Sequence, residues 1–375
     1  MQSMHLPDLA IFLPSFAGGG AERTTLTLAN GIAARGFAVD LIVASAQGPF
    51  RQDVAPSIRV IDFQTVRVSK SFWPLRHYLK QNCPKAMLSI MTHTNLVAIL
   101  ARRWTGVSTR LVISERSIIS QAAHHCQSLQ EHLIYTLVPW FYPGANAIVA
   151  VSEGVARDLE AFARLPQGTV QTIYNPFNLD HIKQLATEQV THPWFAAREP
   201  PVILATGRLG PEKDFSTLIH AFAKVRAQRQ ARLVILGDGS LRSELLVLAH
   251  QLGLTSDEID LPGFVANPYA YMAKSKVFVL SSRFEGLPGV LVEAMACGVP
   301  VVSTNCAGGS SEILQGGRWG QLVPVGDAEA LSQAILRVLS TPIDSLPKVH
   351  QRAQEFEQER AIDAYLKVLG LALHA

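Results

Sequence analysis

The sequence predicts an α/β protein made of two doubly wound parallel sheets. Two series of short apolar runs alternate with helical segments, one on each side of a turn-rich stretch at residues 174–178 (YNPFN). The chain has 375 residues, which is long enough for two hydrophobic cores. Its composition, 48% hydrophobic and 17% charged, is that of a well-buried globular protein.

The first series predicts seven strands, each a short apolar run. They cover residues 9–14, 39–45, 58–63, 87–91, 111–114, 147–151 and 170–174. The glycines Gly18, Gly19 and Gly20 open the first helix at a strand-to-helix turn, and Gly36 ends it. We therefore expect a Rossmann-like domain over residues 1–176.

The second series begins at residue 202 and predicts a second Rossmann-like domain over residues 177–350. Its strands are expected at residues 202–207, 233–237, 259–261, 277–281 and 299–303. The tail over residues 351–373 carries apolar residues at helical spacing, among them Phe356, Ile362 and Tyr365. It predicts a single amphipathic helix, and we expect residues 351–375 to pack back toward the first domain.

Charge and cysteine content argue against a nucleic-acid-binding protein and against a disulfide-bonded one. The formal net charge is only +3, which gives no support to nucleic-acid binding, although residues 59–110 carry nine Lys or Arg and one acid. The four cysteines form no C-x-x-C pair, which favours free thiols in a reducing compartment. Because no signal peptide or membrane span is evident, we expect a cytoplasmic protein.

Charged side chains in the second half follow two predicted strands. Arg208 and Lys213 lie in GRLGPEKD, directly after the first strand of that half, and Glu285 and Glu293 lie in the strand–loop–helix stretch at residues 281–302. Ligands of open α/β folds bind where parallel strands end, and a helix N-terminus there favours anions. Two cations at this edge suit a diphosphate. The alternative is a solvated basic loop with a surface pair of glutamates.

These motifs, with GGGAER at residues 18–23 and VAVSEGVARDL at residues 149–159, resemble family 4 glycosyltransferases over nearly the whole chain. The resemblance implies a GT-B fold, in which two Rossmann-like domains face each other across a cleft. It also implies transfer of a sugar from a nucleotide diphosphate donor with retention of the anomeric configuration.

The resemblance further implies roles for individual residues. Arg208 and Lys213 would neutralise the donor diphosphate, Glu293 would hold the ribose diol, and Glu285 would contact donor-sugar hydroxyls next to the chemistry. The remaining donor contacts are Gly18 and Gly19 from the first domain, the backbone of Leu287, Pro288, Gly289 and Val290 at the phosphate, and Phe264 and Val265 at the base.

Acceptor contacts are expected in the first domain. His93 follows the predicted strand at residues 87–91 and is a candidate catalytic residue, while Glu115 and Arg116 follow the next strand. A lone histidine is more often a packed or surface residue.

The segment SFWPLRHYLK predicts a basic aromatic helix carrying Arg76 and Lys80. Such a helix suits an anionic membrane surface, although a solvated charged face would have the same pattern. GGGAER and ISERS resemble the branch of the family that extends polyprenyl-diphosphate-linked oligosaccharides. The resemblance thus favours a lipid-linked acceptor, whose diphosphate Arg76 and Lys80 would bind, and a peripheral location on the cytoplasmic face of the inner membrane.

No Asp-x-Asp occurs in the chain, and we expect neither a metal nor another cofactor. The resemblance suggests UDP and an N-acetylhexosamine as donor. Two alternatives remain at this point: a sugar-nucleotide epimerase, and a non-catalytic nucleotide-sugar-binding protein.

Overall fold

A computed structural model describes residues 6–17, 19–126, 128–197 and 199–372. The chain forms two compact units. Unit 1 comprises Met1–Phe177 together with Glu357–Ala375, and unit 2 comprises Asn178–Phe356. The chain therefore leaves unit 1 within the turn-rich stretch at residues 174–178.

Unit 1 contains a seven-stranded parallel sheet in the order β3-β2-β1-β4-β5-β6-β7, which confirms the predicted doubly wound architecture. Its strands are β1 (Leu9–Ser15), β2 (Val39–Ser45), β3 (Arg59–Asp62), β4 (Ala86–Ile90), β5 (Arg110–Glu115), β6 (Ala147–Ala150) and β7 (Val170–Thr172). Its helices are α1 (Gly20–Ala34), α2 (Phe72–Asn82), α3 (Thr92–Thr105), α4 (Ile119–His124), α5 (Leu129–Phe141), α6 (Glu153–Ala163) and α15 (Gln358–Leu369).

Unit 2 contains a six-stranded parallel sheet in the order β10-β9-β8-β11-β12-β13. Its strands are β8 (Val202–Thr206), β9 (Arg232–Leu236), β10 (Ile259–Gly263), β11 (Val277–Leu280), β12 (Val301–Thr304) and β13 (Gln321–Val323). Its helices are α7 (Leu179–Ala186), α8 (Phe215–Arg226), α9 (Arg242–Gln251), α10 (Pro268–Lys274), α11 (Gly289–Ala296), α12 (Ser310–Ile313), α13 (Ala328–Ser340) and α14 (Val349–Ala353).

The sequence did not predict β13. This edge strand has only three residues, and two of them are only partly buried, so it lacks the continuous apolar run that marks a buried strand.

The prediction of one continuous helix over residues 351–373 was wrong. α14 belongs to unit 2, a 3-10 turn follows at Gln354–Phe356, and α15 belongs to unit 1. Arg352 holds the first part in unit 2, since its side chain is buried and donates to the carbonyl oxygens of Ile313 at 2.9 Å and Glu312 at 2.8 Å. The two parts of the segment are thus fixed in different cores, which breaks the helix.

The helix α15 completes the core of unit 1. Its residues Ile362 and Tyr365 are fully buried and lie in the same apolar cluster as the strands β1 and β2. A methyl group at Gly31 of α1 would come within 2.3 Å of Ile362 Cδ1, so the glycine allows the two helices to approach closely. The core of unit 1 is therefore built from both ends of the described chain.

Candidate functional site

The sheet of unit 2 changes its winding direction between β8 and β11, which are neighbours in the sheet but not in the chain. Doubly wound folds bind ligands at this position, beyond the carboxyl ends of the strands. Arg208 and Lys213 follow β8, and Glu285 follows β11. The structure thus places these three predicted site residues at the switch point of one sheet.

Lys213 and Glu285 form an ion pair, with Nζ of Lys213 2.6 Å from Oε1 of Glu285. Only 19% of the lysine side chain and 13% of the glutamate side chain are exposed. The Ser282 hydroxyl donates to the same carboxylate oxygen at 2.7 Å, and the Ser281 hydroxyl donates to the backbone carbonyl of Lys213 at 2.7 Å. The two residues predicted to contact the diphosphate and the sugar therefore neutralise each other in this structure.

Arg208 is the more accessible of the two predicted phosphate-binding cations, Arg208 and Lys213. Its side chain is 76% exposed, and Nη2 lies 2.7 Å from Oε1 of Glu212. Burial opposes ionisation of Glu212, but the hydrogen bond and charge of Arg208 outweigh it and lower the pKa of this carboxyl. Each predicted phosphate-binding cation thus has its own carboxylate partner, Glu212 with 21% and Glu285 with 13% of the side chain exposed.

Further contacts join the loops after β8 and β11. Nε of Arg283 lies 3.2 Å from Oδ2 of the buried Asp214, and the Arg283 backbone N–H donates to the Glu212 carbonyl at 2.9 Å. Asp214, Ser282 and Arg283 were not among the residues predicted from the sequence. The two serines Ser281 and Ser282, which directly follow the apolar strand β11, could have indicated polar site residues there.

The predicted phosphate-binding backbone, residues 287–290, forms the entrance to α11. Pro288 caps the helix, and Leu287 is buried beneath the turn. The first N–H groups of a helix lack intrahelical partners and attract anions. The neighbouring Gly308 has a φ of +112°, and a methyl group there would lie 1.7 Å from the Glu285 carbonyl oxygen. Residue 308 must therefore be a glycine for its backbone to lie this close to the loop that carries Glu285.

Glu293 lies in the middle of α11 and is 6% exposed. The Tyr269 hydroxyl donates to its Oε1 at 3.4 Å. Burial, followed by the Glu293 charge, raises the pKa of the Cys297 thiol one turn later to about 12. Cys297 is therefore a neutral thiol beside the predicted ribose ligand.

Phe264 and Val265 follow β10, the edge strand two positions from β8. The Phe264 side chain is 76% exposed, whereas Val265 is partly buried. They lie at the same edge of the sheet as the charged residues, and their predicted contact with the base stays a prediction.

The switch point of unit 1 lies between β1 and β4. Gly18 lies outside the described residues. Gly19 caps α1, and a methyl group there would lie 2.3 Å from Oε2 of Glu22, so this carboxylate folds back against the glycine turn. Burial raises the pKa of Glu22, while its own backbone N–H and the charge of Arg116 act in the opposite direction.

His93 lies in the first turn of α3, directly after β4. Its imidazole is partly buried, and burial lowers its pKa, which favours the neutral ring. The structure thus places His93 at the switch point of its own sheet, as its position after a strand predicted.

Glu115 does not have the surface position expected of an acceptor ligand. It is the last residue of β5 and is 1% exposed. Its carboxylate accepts hydrogen bonds from Thr92 at 3.1 Å, Asn95 at 3.0 Å and the Tyr142 hydroxyl. Burial raises the pKa of Glu115 to about 7, although these hydrogen bonds oppose the rise. The prediction of a direct acceptor contact is corrected, because this carboxylate is enclosed by its own domain.

Arg116 cross-links three segments of unit 1. Its Nη1 donates to the Asn175 side chain after β7 and lies 3.4 Å from the Thr24 hydroxyl of α1. Its predicted role in acceptor binding stays a prediction.

The predicted basic aromatic helix exists as α2, but most of its apolar face is part of the core. Leu75, Tyr78 and Leu79 are buried, and the Tyr78 hydroxyl donates to Asp40 at 2.6 Å. These three residues are therefore not available to a membrane surface, and the predicted membrane contact of this helix stays a prediction for its exposed residues. Lys80 is exposed.

The exposed aromatic residues of this region come from several helices. Trp73 is 62% exposed, and the Arg76 guanidinium lies 5.6 Å from the centre of its ring. Phe72 contacts both Trp73 and Trp104 edge-on, at 5.0 and 6.0 Å. Trp104 at the end of α3 is 62% exposed, and Trp140 on α5 is 80% exposed. Trp104 and Trp140 were not predicted from the sequence, because neither lies in the segment that contains α2.

The residues that the structure describes contain neither a candidate membrane-spanning helix nor a candidate metal-binding group. No helix there has the length and apolar composition needed to cross a membrane. No group of three or more His, Cys, Asp or Glu side chains there is arranged to hold a metal ion.

Comparison with known sequences gives matches in both halves of the chain. Residues 18–181 match the family model described as Glycosyltransferase Family 4, and residues 200–341 match the one described as Glycosyl transferases group 1. A Campylobacter jejuni protein is 30% identical over 386 residues, covering 97% of this chain and 100% of that protein. It is named N-acetylgalactosamine-N,N'-diacetylbacillosaminyl-diphospho-undecaprenol 4-alpha-N-acetylgalactosaminyltransferase.

A second Campylobacter jejuni relative is 26% identical over 377 residues and covers 96% of this chain and 98% of its own. Its name is GalNAc-alpha-(1->4)-GalNAc-alpha-(1->3)-diNAcBac-PP-undecaprenol alpha-1,4-N-acetyl-D-galactosaminyltransferase. Among solved structures, Anabaena HepE in complex with UDP-glucose matches with a TM-score of 0.80 at 20% identity, covering 96% of this chain and 99% of that one. This likeness concerns the fold.

Proposed function

The chain belongs to glycosyltransferase family 4 and has the GT-B fold, and from this premise we propose that it transfers a hexose-type sugar from a nucleotide diphosphate donor to a lipid-linked saccharide. The observation that carries the proposal is the cluster of Arg208, Lys213 and Glu285 at the switch point of unit 2. It combines two cations for a diphosphate with a carboxylate that can accept hydrogen bonds from sugar hydroxyls.

The proposed donor contacts follow from this cluster. Arg208 and Lys213 stabilise the negative charge that develops on the leaving diphosphate, together with the N-terminus of α11. Glu293 accepts hydrogen bonds from the ribose diol, and Glu285 contacts the donor sugar. Transfer proceeds with retention and without a protein nucleophile, the leaving phosphate serving as the base for the acceptor hydroxyl.

The chemistry is proposed to need no metal, because protein cations supply the charge stabilisation. Turnover is then expected to be the same in EDTA as in buffer with divalent cations. Loss of turnover in EDTA that Mg²⁺ or Mn²⁺ restores would contradict this part of the proposal. The donor-binding variants below remain informative in either case.

The names of the two Campylobacter relatives support a more specific substrate class. Both are named as N-acetylgalactosaminyltransferases that act on undecaprenol diphosphate-linked saccharides. We extend to this chain a UDP-N-acetylhexosamine donor and a polyprenyl-diphosphate-linked acceptor, used in assembly of a bacterial surface or glycoprotein glycan.

A lipid-linked acceptor requires access to a membrane surface, and we assign this to the exposed tryptophans of unit 1. Trp73 and Trp104 both contact Phe72 edge-on, and Arg76 lies beside Trp73. Indole rings and guanidinium groups favour the interface of an anionic bilayer. The protein is then peripheral, on the cytoplasmic face of the inner membrane.

Sedimentation with liposomes tests the membrane assignment. Arg76→Glu with Lys80→Glu, and separately Trp73→Ala with Trp104→Ala, are expected to reduce binding to anionic liposomes at least ~fivefold. Trp319→Ala in unit 2 is the control and should bind like the wild type. Absence of wild-type binding to anionic liposomes would refute the assignment.

A donor screen tests the transferase proposal as a whole. UDP-, GDP- and dTDP-sugars are incubated with a polyprenyl-diphosphate-linked saccharide, and the lipid product is analysed by mass spectrometry. A product one sugar longer supports the proposal. A changed sugar nucleotide without lipid product would instead indicate an epimerase, and binding without turnover would indicate a non-catalytic binding protein.

A further inference from the structure

The turn that presents His93 is strained. Met91 connects β4 to α3 with φ +81° and ψ 148°, a conformation that residues other than glycine rarely adopt. Such a conformation is unfavourable for a side chain with a Cβ and persists only where the surrounding contacts fix it. The strain lies at the switch point of unit 1, where a doubly wound sheet binds its ligand.

Hydrogen bonds fix the residues around His93 but not its side chain. The Met91 backbone N–H donates to the Ser114 carbonyl at 3.1 Å, and the Asn95 N–H donates to the Met91 carbonyl at 2.9 Å. The Thr94 hydroxyl also donates to the Met91 carbonyl, at 2.8 Å. Within the part of the chain that the structure describes, the His93 imidazole has no hydrogen-bond partner.

The contacts that hold this turn converge on one carboxylate, Glu115. It accepts from Thr92, the residue before His93, and from Asn95, two residues after it. Asn95 also donates to the Ser114 carbonyl at 3.1 Å, and the Tyr142 hydroxyl donates to Glu115 from outside the turn. With 1% exposure, Glu115 cannot touch a substrate itself, yet a buried carboxylate of this kind needs all its donors.

We propose that Glu115 is a positioning residue that acts through His93. Its hydrogen bonds to Thr92 and Asn95 hold the strained Met91 turn in the conformation that presents the His93 imidazole to a substrate hydroxyl. This inference rests on the proposed glycosyl transfer and adds to it a second layer of residues behind the substrate-contacting histidine. It also explains why an ionisable side chain lies fully buried beside the site.

A double-mutant cycle tests the proposal in the full-length protein. The variants are Glu115→Gln, His93→Ala and the two combined, assayed for transfer from UDP-N-acetylhexosamine to a polyprenyl-diphosphate-linked saccharide. Glu115→Gln is expected to lower kcat about tenfold with less than a ~twofold change in the donor KM, because orientation and not donor binding is lost. In the His93→Ala background, the same change is expected to have no further effect.

The control is Glu160→Gln, which alters another buried carboxylate of unit 1, hydrogen-bonded to the Val170 N–H at 3.0 Å. It should change Tm by a similar amount and leave kcat unchanged. If Glu115→Gln does not fold, Thr92→Val removes one donor from the network and enters the same cycle, with a smaller loss expected.

The outcomes separate this inference from the proposed function. Equal losses from Glu115→Gln in both backgrounds, or wild-type activity in His93→Ala, would overturn the positioning role while leaving the transferase proposal intact. A wild-type protein that transfers no sugar from any donor would overturn both.

Discussion

The ion pair between Lys213 and Glu285 leads to a prediction that separates binding from turnover. A diphosphate that binds Lys213 must share the ammonium group with a carboxylate already 2.6 Å away. Glu285→Gln keeps the side-chain shape and an oxygen for Ser282, but it removes the competing charge. We therefore expect the variant to bind UDP more tightly than the wild type and to transfer sugar more slowly.

The burial of the two side chains sets the size of the effect. Exposed ion pairs contribute about 0.2–1 kcal/mol, and removing one partner of a fully buried pair costs about 3–5 kcal/mol. Exposures of 19% and 13% place this pair between the two limits, at about 1–2 kcal/mol. Since about 1.4 kcal/mol is a factor of ten, the Kd for UDP should fall about 5- to 30-fold.

Isothermal titration with UDP measures this change, with transfer assayed on the same preparations. Glu212→Gln is the matched control, because it frees Arg208, whose side chain is 76% exposed, and should change the Kd less than ~twofold. Glu285→Gln should also lower turnover at least ~tenfold through the lost sugar contact. An unchanged or higher Kd for UDP in Glu285→Gln would refute the reasoning.

The remaining predictions concern Glu293 and Glu115, two further buried carboxylates of the candidate sites. Glu293→Gln should weaken UDP binding by about 1.5–3 kcal/mol, which is the range for hydrogen bonds to charged groups. Calorimetry should show that the variant no longer distinguishes UDP from 2′-deoxy-UDP. A variant that still distinguishes the two nucleotides would contradict the assignment of Glu293 to the ribose. Burial raises the pKa of Glu115 from 4.5 to about 7, so between these values the folded state binds more protons there and stability decreases as the pH rises. Urea unfolding should therefore show that, from pH 5 to pH 8, the free energy of unfolding of the wild type falls by up to about 3 kcal/mol relative to that of Glu115→Gln. If the free energies of unfolding of the two proteins change in parallel with pH, ionisation of a buried Glu115 is contradicted.

Much of the architecture could be predicted from the sequence because buried parallel strands appear as continuous apolar runs. That rule located all seven strands of unit 1 and five strands of unit 2. It failed for β13, a three-residue edge strand that begins with Gln321. It also failed for the tail, where local periodicity favours one helix and the burial of Arg352 in a different core from Ile362 breaks it.

The candidate site also contains residues that local sequence patterns predict and residues whose positions depend on contacts with distant parts of the chain. Arg208, Lys213 and Glu285 could be predicted because each follows a strand whose end lies at the switch point. The position of Glu115 could not, because its burial depends on Tyr142, which is 27 residues away in the chain. A residue after a strand can face either the ligand or the core, and the sequence pattern alone does not separate these outcomes.

The division of unit 1 into two chain segments affects how the protein is made. α15 supplies Ile362 and Tyr365 to the core of unit 1, but the ribosome synthesises it only after the whole of unit 2. At about 5–20 residues per second, the insertion of about 180 residues delays this helix by roughly 10–40 s. During that interval unit 2 can complete its fold, while the apolar surface of α1 around Gly31 stays uncovered. The core of unit 1 around Gly31 is therefore completed only after the whole of unit 2 has been synthesised.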